Sequence, residues 1–388
     1  MKVTKKILLL ALTCLLCLSG CGRNEDEEKL VALDSINEGD YRVAIPFATS
    51  DTRQTHIQFN RSSYDVDAIG EGVLRYCKEY FDPEKYYLQE GQILNRNTLQ
   101  AGLIYGDKEG ILGSKSTSNP YGLNPENGFK LPTQNGITIT CKAGSGGTIP
   151  VIDVFEVNFI TELKVDAEIK GIALAIVLNP NVLDADGKAH VISDENLKAY
   201  GEEAGRNLVA FLKQQPQINA KTPIMVALFK AESTDTTLPG TYISVGYGNG
   251  NVDRFKDVSE SWMIIPSSNA QKADSTLVSQ FNAIKEELHD FLPNNTEIIG
   301  KGFFVENRIS KLQLTITMQA KTYTEKIGVS QYVNDVTMGR EYMKQANAAW
   351  FQIFQVVKEN CAVELSGRTP QDDVMERLLR ARMGQKYY

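Results

Sequence analysis

The chain has 388 residues, with 41 Lys and Arg against 48 Asp and Glu, for a formal net charge of −7. An acidic balance without a dense basic patch excludes nucleic acid as a partner, because phosphate contacts need clustered Lys and Arg. At this length, with 42% apolar residues, the chain can bury a core of one or two domains.

Residues 1–20 have the layout of an export signal. Lys2, Lys5 and Lys6 form a short basic region, and Ile7 to Leu18 is a nearly unbroken apolar run. That run is too short to span a bilayer as a stable helix. Leu18, Ser19, Gly20 and Cys21 then match a lipobox, and the sequence turns polar at once through Gly22-Arg23-Asn24-Glu25. Small residues at Ser19 and Gly20 let the backbone enter a peptidase cleft. The Cys21 thiol is the expected site of a diacylglyceryl (palmitate) anchor. A diacylglyceryl transferase and signal peptidase II are the partners this maturation needs. Two acyl chains, at about 0.8 kcal/mol per buried methylene, hold a protein on a membrane where one would not. Losing the three leader lysines moves the formal charge to −10, and no second long apolar run follows.

Residues 21–40 read as a charged tether, broken only by Leu30, Val31, Leu33 and Ile36. An N-terminal α+β subdomain is expected over 41–135. Tyr41–Phe47 reads as a strand stopped by Pro46. Asp65 caps a helix through Val66, Ile69, Val73, Leu74, Cys77 and Tyr80. The stretch Asn119–Gly128 is dense in turn residues. A larger α+β domain is expected over 136–368. Its strands are predicted at Val154–Ile160, Ile172–Leu178, Ile224–Phe229, Tyr242–Val245 and Leu312–Met318. Helices are predicted from Ser193, over Leu277–Phe291 and over Met338–Val357. A strand–helix–strand unit starting at Ile169 and again at Ile309 points to an internal duplication. Residues 369–388 read as a C-terminal helix opened by Thr369-Pro370. The fold class is therefore α+β, with mixed sheets and packed helices.

Local sequence carries no catalytic, cofactor or metal motif. His56, His190 and His289 are far apart, whereas zinc needs three or four converging ligands; surface or turn positions are expected for them. Cys77, Cys141 and Cys361 are an odd set at wide spacing and read as free buried thiols. Gly144–Gly147 lacks the Gly-Lys-Ser or Gly-Lys-Thr ending of a phosphate loop. Gly246-Tyr247-Gly248-Asn249-Gly250 reads as a loop. The acid pairs Asp153 with Glu156, and Asp166 with Glu168, read as solvated faces. No cofactor is expected.

An ordered series of segments is more specific. It runs through Tyr86-Tyr87-Leu88-Gln89-Glu90-Gly91-Gln92, Gly122-Leu123-Asn124-Pro125, Phe229–Ser233, Leu238-Pro239-Gly240-Thr241-Tyr242, Ile298–Phe304 and Gly328–Val333. Together they resemble the CamS family, lipoproteins of low-GC Gram-positive bacteria known as sex pheromone cAM373 precursors. The resemblance extends from the lipobox to about residue 365. It implies two products: a membrane-anchored body with no catalytic residues, and a leader fragment, here drawn from Thr13 to Gly20, acting as an apolar peptide pheromone. Cys14 and Cys17 make that fragment oxidisable.

Three functions are thus open. The first is a CamS-type surface lipoprotein. The second is a solute- or envelope-binding lipoprotein with a pocket lined by Tyr86, Tyr87, Tyr242 and Tyr247. The third is a cell-wall hydrolase, which requires acids converging in a cleft.

Overall fold

The structure is a computed structural model. It describes residues 30–318 apart from 36–38, 60–63, 101–109, 145, 233–237 and 292–296, with isolated positions between 322 and 331 and two further strands, Ala348–Val356 and Ala362–Arg368. The export signal, the lipobox Leu18–Cys21, Cys361 and the helix expected over 369–388 lie outside the described residues.

Seventeen strands and six helices follow in chain order among the described residues. The first are β1 (Val31–Leu33), β2 (Arg42–Ile45), helices α1 (Arg53–Phe59) and α2 (Val66–Cys77), β3 (Tyr87–Glu90) and α3 (Arg96–Gln100). Next come the small hairpin β4 (Lys130–Pro132) with β5 (Thr138–Thr140), then β6 (Val151–Ile160) and β7 (Gly171–Leu178). A second small hairpin, β8 (Asn181–Leu183) with β9 (Ala189–Val191), precedes α4 (Asp194–Leu212), β10 (Pro223–Lys230), β11 (Thr241–Asn249) and β12 (Phe255–Asp257). The last group is β13 (Glu260–Ile265), α5 (Ser268–Ala273), α6 (Ser275–Phe291), β14 (Glu297–Val305), β15 (Arg308–Met318), β16 (Ala348–Val356) and β17 (Ala362–Arg368).

An eight-stranded mixed sheet runs in the order β1-β2-β3-β6-β7-β10-β11-β12, and a five-stranded one runs from β13 to β17 in sequence order. The fold is α+β. Strands from residues 31–90 are hydrogen-bonded into the same sheet as β6, β7, β10, β11 and β12, and the chain leaves that sheet for the five-stranded one between β12 and β13. The tether expected over 21–40 gives way at Leu30, which is buried, and Val31–Leu33 pair with β2 as an edge strand.

Strands β7 and β10 are parallel, and every residue of β7 is buried. A strand covered on both faces reads as a continuous apolar run rather than an alternating one. Ile172, Leu174, Ile176 and Leu178 pack with Leu197, Ala204, Leu208 and Leu212 of α4. On the other face Ala173, Ala175 and Val177 pack with Ile69, Val73, Tyr76 and Cys77 of α2. The small side chains on that face leave room for aromatics, and Tyr242 fills the space, donating its hydroxyl to the carbonyl of Ile69 at 2.7 Å. Both helices start where the sequence places them: Asp65 accepts from the amide of Ala68, and Ser193 from that of Asn196.

Four strands of each sheet repeat one pattern. Within β6-β7-β10-β11 the pairings are antiparallel, parallel, antiparallel, and β14-β15-β16-β17 has the same series. The pairing series is what the two stretches share, and in the second the parallel return is at β16 and not at Val363. This corrects the helix expected over Met338–Val357 for residues 348–356, the remainder of that span lying outside the described residues. Its aromatic and β-branched run Trp350-Phe351-Gln352-Ile353-Phe354 lies in a strand between β15 and β17. A second correction concerns Gly246–Gly250. Its first four residues continue β11, because a side chain on Gly246 would meet Val252 and Phe255 as the strand folds back toward β12.

Gly72 of α2 lies against the ring of Tyr242, whereas Gly70 faces open space. Gly72→Ala is expected to destabilise the protein by about 1–3 kcal/mol through overpacking. Gly70→Ala should stabilise it by about 0.5–1 kcal/mol through helix propensity. Urea denaturation of the two variants reads the difference, and equal effects would refute the assigned packing.

Candidate functional site

The polar groups that stand out are on β6, whose sequence Val151-Ile152-Asp153-Val154-Phe155-Glu156-Val157-Asn158 places two carboxylates in an apolar strand. Three residues apart, they point to opposite faces. Both are buried, which corrects their reading as a solvated pair; Asp166 and Glu168 are exposed as expected.

Asp153 is fully buried and fully used. Its carboxylate accepts from the Tyr64 hydroxyl at 2.6 Å and the Val154 amide at 2.8 Å, and lies 2.8 Å from Nδ1 of His56. Nε2 of His56 is 2.9 Å from the Thr52 hydroxyl, which is 2.6 Å from that of Ser50. The His56 ring stacks on Phe155 at 4.1 Å. His56 is thus a core histidine rather than a surface one, since α1 carries it onto β6. His190 is half-buried against Asp184 in the β8–β9 hairpin, and His289 is exposed. The hydrogen bond from His190, with backbone amides, holds the Asp184 carboxyl below the usual range.

Hydroxyl, imidazole and carboxylate in line is the order of a nucleophile relay. Thr52, however, is 3% exposed and its hydroxyl is held by Ser50 and His56. The line therefore works as a clasp that fixes α1 to the sheet. Burial, then the neighbouring Asp153 charge, raises the Tyr64 phenol above the ordinary tyrosine range.

On the other face Glu156 accepts from the amide of Leu94 at 2.7 Å and from the Asn158 side chain at 2.6 Å. Burial pushes its carboxyl up, and these bonds oppose the shift. Asn124 plays a similar part at the start of β6. Its side-chain amide donates to the carbonyls of Leu112 and Val151 and its oxygen accepts from the Val151 amide, all within 2.9 Å. Cys77 and Cys141 are free and buried, and burial raises both thiols. Among the described residues, no group of His, Cys, Asp or Glu side chains is placed to hold a metal.

The tyrosines expected to line a pocket are packed instead. Tyr242 is core, Tyr247 stacks on Tyr80 at 4.3 Å, Tyr86 meets Phe81 and Phe159 edge-on, and Tyr87 lies under Arg42. Two depressions lie along α4 instead. One, of about 100 Å³, is lined by Leu123, Asn124, Phe129, Tyr200 and Asn207. The other, of about 250 Å³, is lined by Tyr121, Arg206, Val209 and Lys213.

The segments that gave the resemblance turn out to be places where the fold is fixed: β3, the Asn124 turn, the start of β11 and strand β14. Gly328–Val333 lies outside the described residues except for Gly328 and Gln331. The profile of the CamS sex pheromone cAM373 precursor family matches residues 47–353. The chain belongs to the CamS family. Its fold is similar to the crystal structure of a sex pheromone precursor from Lactobacillus salivarius subsp. salivarius UCC118. That likeness has a TM-score of 0.68 and 22% identity, covering 87% of this chain and 98% of that one. It is also similar to the C-terminal domain of the sex pheromone staph-cAM373 precursor from Staphylococcus aureus, with a TM-score of 0.58 and 20% identity over 80% and 95% of the two chains. No curated protein sequence matches. Membership of a pheromone-precursor family implies a secreted or extracytoplasmic protein. Among the described residues, no helix is long and apolar enough to cross a membrane.

The clasp has a pH signature. Unfolded, the Tyr64 phenol ionises near pH 10. Folded, it keeps its proton to higher pH, so alkali above about pH 10 favours the unfolded chain. Tyr64→Phe should flatten that loss of stability by about 1.4 kcal/mol per pH unit, measured by urea denaturation between roughly pH 10 and 11.5. An unchanged slope would mean that the phenol ionises within the fold.

Proposed function

We propose that this chain is a lipid-anchored extracytoplasmic lipoprotein, with a non-enzymatic body and a cleaved leader that yields a peptide pheromone. The observation that carries the reading is the lipobox Leu18-Ser19-Gly20-Cys21, with its abrupt polar switch, ahead of a body that matches the family from residue 47. The membrane partner is reached through diacylglyceryl on Cys21, after a diacylglyceryl transferase and signal peptidase II have acted. The peptide Thr13–Gly20 is uncharged and largely apolar, suited to partition from water into an apolar receptor groove. The neighbours named as pheromone precursors support extending that role to this leader.

Non-catalytic action of the body is supported by how its acids are used. Asp153 and Glu156 face away from each other, and each is bonded into the fold. The alternative, a solute-binding lipoprotein, finds less support. Among the described residues, both depressions along α4 are smaller than the roughly 300 Å³ at which drug-sized pockets begin, which supports surface contact over enclosure there.

Cys21→Ala is expected to move the protein from the membrane fraction to the soluble one and to remove the diacylglyceryl mass from its N-terminal peptide. A parent chain that lacks that mass would defeat the anchor. Mass spectrometry of culture supernatant should find Thr13–Gly20, and the synthetic peptide should trigger a responder strain. If both are absent, the leader is only an export signal.

A further inference from the structure

The chain leaves an apolar edge beside its anchor. Val31, Leu33 and Phe47 are 59%, 51% and 50% exposed. Val31 pairs with Ile45 and Leu33 with Val43, so these four side chains share one face of the β1–β2 edge. Phe47 follows two residues beyond Ile45. The opposite face is anchored, because Leu30 and Ala44 are buried against Ile160. The edge is therefore held in place by the core while it presents apolar side chains outward. Exposed sheet edges are ordinarily blunted by charge; β1 carries none.

We propose that this β1–β2 edge is a membrane-docking surface that seats the body at the headgroup–acyl boundary of the leaflet holding the anchor. The inference rests on the lipid anchor proposed at Cys21. Only nine residue steps separate Cys21 from Leu30, and an extended chain covers at most about 3.6 Å per residue, so the edge stays within about 32 Å of the leaflet. The intervening Arg23, Glu25, Asp26, Glu27, Glu28 and Lys29 are charged and remain in water. Seating at the boundary suits the chemistry. Valine, leucine and phenylalanine bury apolar area there, while water and headgroups still satisfy the free backbone groups of an edge strand.

The test uses the full mature chain, coupled through its N-terminal cysteine to a thioester lipid in phosphatidylcholine vesicles with brominated acyl chains. Phe47→Trp should add fluorescence that these vesicles quench by about twofold relative to unbrominated ones, as expected for a ring at that depth. A control, Ile137→Trp at the exposed tip of the β4–β5 hairpin, should add fluorescence that is not quenched. Val31→Asn with Leu33→Asn should abolish the quenching at position 47 without changing the fold seen by circular dichroism. Equal quenching at 47 and 137 overturns the proposal. So does cross-linking of copies through positions 31 and 33, which would assign the edge to a second chain. Acylation of Cys21 is read separately, by mass on the native protein. Failure of the anchor therefore shows there, while the chemical tether still reads the docking.

Discussion

A carboxylate removed from water has to be paired from several sides, and Glu260 at the start of β13 is paired from three. It accepts from the Arg75 guanidinium, the Tyr76 hydroxyl and, at 2.9 Å, the backbone amide of Tyr242. Its side chain is 2% exposed. The donors belong to α2 and β11 of the large sheet, the acceptor to the first strand of the small one. Arg75 also lies over the ring of Phe303 at 5.1 Å, and Lys311 of β15 pairs with Glu71 of α2. Helix α2 is thus the member on which both sheets depend. One of its faces closes the core over β7 and β10, and its polar groups hold β13 to β15.

The same logic explains why the most catalytic-looking residues of the chain are structural. On β6 an aspartate and a glutamate serve opposite faces, one clasping α1, the other gathering the chain around Leu94. Each is fully bonded within the protein, because a buried polar group without partners costs more than its bonds return. The proposed lipoprotein role places function in surface and attachment instead, and under it the lipobox and the apolar edge both concern where the protein sits.

Much of this was legible in the sequence, for identifiable reasons. Asp65 and Ser193 announced their helices because capping is a local interaction. Strands β7 and β10 were legible as unbroken apolar runs. Asn124 and Tyr242 carried the family resemblance, although their roles, bracing the start of β6 and filling the space beside Gly72, emerge only from contacts distant in sequence. His56 and Asp153 were misread because their pairing spans 97 residues. A usable signal was present even so: a carboxylate in the middle of an apolar strand is seldom left in water. Strand β16 was misread as helix because its aromatic run fits either period, and pairing with β15 decides it. Glu260 gave no local sign at all, since its partners come from two other elements.

The central claim is that Glu260 couples the two sheets through α2. Amide hydrogen exchange in a Glu260→Ala variant tests it most directly. Leaving the arginine and the tyrosine hydroxyl without their acceptor should cost a few kcal/mol, which corresponds to about 10²-fold faster exchange. The account predicts that this acceleration falls on β13, β14 and β15, while the amides of β7 and β10 keep their protection. Equal acceleration in both sheets, or none in β13 to β15, would contradict it.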